Sequence, residues 1–66
     1  MINFTEKEYE VLRYLITGLN NKEISKKMFV TNHTVKAHIS SILHKLNVSN
    51  RTEAVYVVLT NNLLDL

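Results

Sequence analysis

Between Thr31 and Leu46 the chain sets His33, Lys36, Ala37 and Ser40 at helical spacing, short or hydrogen-bonding side chains with no large aliphatic among them. At about 100° per residue, His33, Ala37, Ser40 and His44 share one side, with Lys36 and Ser41 at its edges. Val35, Ile39, Ile42 and Leu46 form an apolar stripe opposite, flanked by His38 and Leu43. The chemistry open to the polar side is noncovalent. A lysine there can donate to guanine O6 or N7, an alanine methyl can meet a thymine methyl, and short neighbours let the helix approach the floor of a major groove. A face chosen for helix propensity alone would carry Lys, Arg, Glu or Gln, so a plain solvated face is the competing reading.

Other chemistries find no footing. His33, His38 and His44 stand five and six residues apart, so no pair has the i, i+4 spacing of helical zinc ligands, and no metal is expected. His38, at the edge of the apolar stripe, reads as a packing residue. The sequence offers no nucleophile with a base, no glycine-rich phosphate loop and no carboxylate pair on one helix face in a plausible cleft. No catalytic residue and no cofactor is expected, and the chain is not read as an enzyme.

With 66 residues there is room for one domain, expected over 1–66, and its single core must be used economically. The absence of cysteine removes disulfides and thiolate zinc sites as sources of stability, so packing and helix caps must hold the fold. No apolar run approaches the roughly 20 residues of a membrane span, and charges stand where a signal peptide would be apolar. A cytoplasmic location without membrane contact is therefore expected. The net charge of +2 says little, but its distribution says more. From Asn20 to Arg51 six basic residues (Lys22, Lys26, Lys27, Lys36, Lys45 and Arg51) face Glu23 alone, a local net of +5 around the polar helix. Acids gather instead at Glu6, Glu8 and Glu10, the asymmetry of a domain that docks one face on phosphates.

Four cap signals place the elements. Thr5 with Glu8 has capping-box spacing, with Phe4 and Tyr9 as the staple pair. The helix it starts ends near Thr17, before Gly18. Asn20 with Glu23 opens a short second helix running to about Met28, stapled by Leu19 and Ile24. After Phe29 and Val30, Thr31 caps the third helix, which ends near Leu46. Asn50 with Glu53 predicts a fourth helix to about Asn62. The fourth carries Ala54, Val55 and Val58 on one side and Tyr56, Leu59 and Leu63 on nearly the opposite one. The second stripe is a candidate dimer interface, with packing against the first helix or an absent domain as the alternative. The fold class is all-α, and the short link between helices two and three makes them a helix-turn-helix unit. In that unit the basic Lys22, Lys26, Lys45 and Arg51 are candidate phosphate contacts, and the row of His33, Lys36, Ala37 and Ser40 holds the candidate base contacts.

The blocks Phe4-Thr5-x-Lys7-Glu8-x-Glu10-Val11-Leu12, Gly18-Leu19-x-Asn21-Lys22-Glu23-Ile24, Thr34-Val35-Lys36-x-His38, Lys45-Leu46-x-Val48 and Arg51-x-Glu53-Ala54-Val55, in this order, resemble the LuxR-type (GerE-type) helix-turn-helix domain. The resemblance covers nearly the whole chain. Such domains occur in NarL/FixJ-like response regulators and in stand-alone GerE-like regulators. The resemblance implies a tri-helical core plus a C-terminal helix, in a bacterial transcription regulator whose third helix reads the major groove of double-stranded DNA. The fourth helix would mediate a homodimer, with RNA polymerase a further candidate partner. It implies base contacts for Lys36, Ala37 and Ser40 and phosphate contacts for Asn21, Lys22 and Thr34. Asn47 departs from the glycine usual in its turn, a change that Asn's tolerance of left-handed geometry accommodates. A sigma-like promoter-reading module and a protein-only module on the same fold are the rival classes.

Overall fold

The computed structural model describes residues 2–65, so the two end residues of the expected domain lie outside the described ones. Four helices follow one another: α1 (Glu6–Ile16), α2 (Asn21–Met28), α3 (Asn32–Leu46) and α4 (Arg51–Thr60). Each starts where a short polar side chain can accept an orphan amide. Thr5 accepts from the Glu8 amide while the Glu8 carboxylate accepts from the Thr5 amide, and Asn20 and Glu23 form the same reciprocal pair. Thr31 accepts from the Thr34 amide at 3.1 Å.

At α4 the expected box is only half made. Asn50 accepts from the Glu53 amide, but the Glu53 carboxylate reaches past the cap to the Ser49 amide.

All four helices end alike. Gly18, Phe29, Asn47 and Asn62 have positive φ, and the next residue's amide donates back into the last turn: Leu19 to Tyr14, Val30 to Ser25, Val48 to Leu43 and Leu63 to Val58. This is the Schellman ending. At α4 it moves the expected boundary: the helix stops at Thr60, two residues before the predicted Asn62. Leu63 therefore lies beyond the helix, folded back against the core.

The core takes Val11, Leu12 and Leu15 from α1, Ile24 and Met28 from α2, Val35, Ile39, Ile42 and Leu46 from α3, and Ala54 and Val58 from α4. The α3 stripe is the common wall, since α3 packs against each of the other three helices. Burying one such aliphatic side chain is worth about 1.5–3 kcal/mol. That gain, with the Asn50 cap, holds Val55, Val57 and Val58 helical despite their β-branching.

Candidate nucleic-acid interface

With its apolar stripe gripped by three helices, α3 turns the other side outward. His33, Lys36, Ala37, Ser40 and His44 are all exposed, while Thr34, His38 and Ser41 are half-buried at the margins. A 15-residue helix is about 22 Å long and, with side chains, some 10–12 Å across. That width matches a major groove of about 12 Å. Near its start the face carries only Lys36 as a formal cation, beside the imidazole of His33.

The α2 helix, which packs against α3, carries three cations of its own. Lys22, Lys26, Lys27 and Lys36 are exposed, and among the described residues the ion pairs involve only Lys7 with Glu10 and Lys45 with Glu8. Asn21 is half-buried and Lys22 exposed at the start of α2, and Thr34 exchanges hydroxyl contact with Thr31 at 3.0 Å. A surface hollow of about 450 Å³ lies elsewhere, lined by Leu19, Glu23, Lys26, Lys27 and Phe29. The polar row of α3 takes no part in it. No helix among the described residues is long and apolar enough to cross a membrane, and no three of their His, Asp or Glu side chains are grouped to hold a metal ion.

Two of the candidate phosphate contacts have partners inside the fold. The Lys45 ammonium donates to Glu8 Oε1 at 2.6 Å and to the Asn3 carbonyl at 3.0 Å, and lies 6.0 Å from the centre of the Phe4 ring. Phe4 in turn meets Tyr9 edge-to-face at 5.3 Å. Glu8 is buried, and Ser41 of α3 donates to its second oxygen at 2.6 Å. Burial pushes the Glu8 carboxyl upward, but hydrogen bonds from Lys45, Ser41 and the Thr5 amide outweigh it, and the group is lowered to about 2. Arg51, the other one, donates to the Asn21 side-chain oxygen and to the Leu19 carbonyl.

Sequence reasoning cast Glu8 as a cap and Ser41 as the edge of the outward face, and so missed this tie between α1 and α3. A signal was available, because Glu8 sits three, four and seven residues before the buried Val11, Leu12 and Leu15. Of the stripe assigned to the dimer, Tyr56 and Leu59 are 67% and 52% exposed, whereas Leu63 is half-buried.

Residues 3–58 match the family described as bacterial regulatory proteins, luxR family (GerE). The chain belongs to the luxR family of bacterial regulatory proteins. It is thus a LuxR-type DNA-binding domain of a transcription regulator, all-α as its sequence implied. The transcriptional regulatory protein LnrK of Bacillus subtilis (strain 168) is 52% identical to this luxR-family chain over 54 residues, covering 82% of the chain and 24% of LnrK. The transcriptional regulatory protein LiaR of the same organism is 43% identical over 63 residues, covering 96% of the chain and 30% of LiaR. The response regulator protein VraR of Staphylococcus aureus (strain NCTC 8325 / PS 47) is 43% identical over 60 residues, 91% of the chain and 29% of VraR. The chain spans less than a third of the length of these relatives.

Proposed function

We propose that this luxR-family domain binds double-stranded DNA sequence-specifically by laying α3 in the major groove, as the DNA-binding part of a bacterial response regulator in the cytoplasm. The observation that carries the reading is the split of α3: Val35, Ile39, Ile42 and Leu46 buried, His33, Lys36, Ala37 and Ser40 exposed. Lys36 donates to a guanine, Ala37 meets a thymine methyl, and His33 and Ser40 hydrogen-bond base edges. Asn21, Lys22 and Thr34 set the register on phosphates, and Lys45 and Arg51, with internal partners, support that register from behind. The relatives named as response regulators and transcriptional regulatory proteins support the regulatory role.

A homodimer through the exposed Tyr56 and Leu59 of α4 places two α3 helices on half-sites about 34 Å apart. At a promoter, the same complex lies within reach of RNA polymerase. Selection of bound sites from random duplexes tests the reading. A repeated motif, with log affinity falling linearly with log salt, supports it. No enrichment, with no binding at low salt, favours the protein-only module.

A further inference from the structure

We propose that Arg51 is a positioning residue for the DNA contact of α2, holding the Asn21 amide with its N–H2 end turned outward for a phosphate oxygen. The inference rests on the duplex-binding reading above.

Arg51 is the first residue of α4 and Asn21 the first of α2. A guanidinium has only donors, so an amide that meets it must present its oxygen. Arg51 Nη2 does donate to Asn21 Oδ1, and Nη1 reaches the Leu19 carbonyl at 3.5 Å, in the connection just before α2. The Asn21 N–H2 group finds no acceptor among the described residues, and it is not a buried unsatisfied group. It is left for an acceptor from outside, beside the exposed Lys22.

Accepting a bond from a cation polarises the amide, and this strengthens the opposite N–H2 as a donor. Two atoms of one side chain thus fix both the backbone entering α2 and the first polar side chain on it. No other side chain of α4 hydrogen-bonds to another helix among the described residues. Among the described residues, the helix that exposes Tyr56 and Leu59 is therefore joined to the start of α2 by hydrogen bonds from Arg51 alone.

A double-mutant cycle on a selected duplex, read by fluorescence anisotropy over a range of salt, tests this. Arg51→Ala and Asn21→Ala should each weaken binding about 3- to 10-fold, and the double variant should bind no more weakly than the poorer single. The slope of log affinity against log salt should stay as in wild type for Arg51→Ala, whereas Lys22→Ala should flatten it by about 0.9. Arg51→Met, which keeps the aliphatic stem, should repeat the loss, and Arg51→Lys should recover part of it.

A slope reduced by about 0.9 in Arg51→Ala overturns the proposal, because Arg51 then neutralises a phosphate itself. So do additive losses, or an Asn21→Ala variant that binds like wild type, since the arginine would then only brace the fold. A wild-type protein without salt-dependent binding removes the DNA reading itself, and this proposal with it.

Discussion

The ammonium of Lys45 in α3 lies 2.6 Å from the buried carboxylate of Glu8 in α1, with Ser41 on the other carboxylate oxygen. Two groups one turn apart on α3 thus grip one atom pair on α1, and this fixes how α3 is rolled about its own axis. The roll decides which residues face outward. An anion in a nearly closed site is stable there because every lone pair in use has a donor.

Glu8→Gln keeps the shape and removes the charge. It should cost about 1–3 kcal/mol at neutral pH, below the range for fully buried pairs because Lys45 is a third exposed. The carboxyl is lowered from 4.5 to about 2, so its contribution is full above pH 4.5 and fades as pH falls toward 2. Urea unfolding at pH 7 and pH 2.5 should show the gap between wild type and Glu8→Gln shrinking at the lower pH. A constant gap contradicts the pairing.

Phe29 holds φ 58° at the end of α2 while its side chain is 95% exposed, so a left-handed backbone is imposed on a residue that gains little from burial. Phe29→Gly should stabilise the domain by about 1 kcal/mol. Gly18 has φ 87° and open space around the position of a Cβ, so Gly18→Ala should cost about 1 kcal/mol from the backbone alone. Urea midpoints moving in opposite directions check both.

Leu59 and Tyr56 present an apolar surface on α4 that the domain leaves uncovered. Leu59→Glu should lower the sedimentation coefficient at concentrations where wild type self-associates, with the helical circular dichroism unchanged. Equal sedimentation of the two proteins removes this surface from any dimer.

Most of the helix boundaries were legible in the sequence because they are set by neighbours. Thr5 with Glu8, Asn20 with Glu23, and the left-handed Asn47 act across three or four residues, and those spacings are visible in a one-dimensional string. The α4 terminus was misread because Asn62 could extend a helix or end it, and the burial of Leu63 favours ending it. The ties of Glu8 to Lys45 and of Asn21 to Arg51 span 37 and 30 positions. Such pairs depend on how the helices pack, and local spacing does not encode that. The outward row of α3 was legible because a missing aliphatic residue, unlike a distant partner, shows in periodicity.

The central claim is that Lys36 on the outward face of α3 reads a base, and the most direct measurement compares wild type with Lys36→Ala on a selected duplex and on its scrambled control. Lys36→Ala should lose about 1–3 kcal/mol on the selected duplex, confined to substitutions at one base position, and far less on the control. Equal losses on both duplexes, or no loss on either, would contradict base reading by this helix.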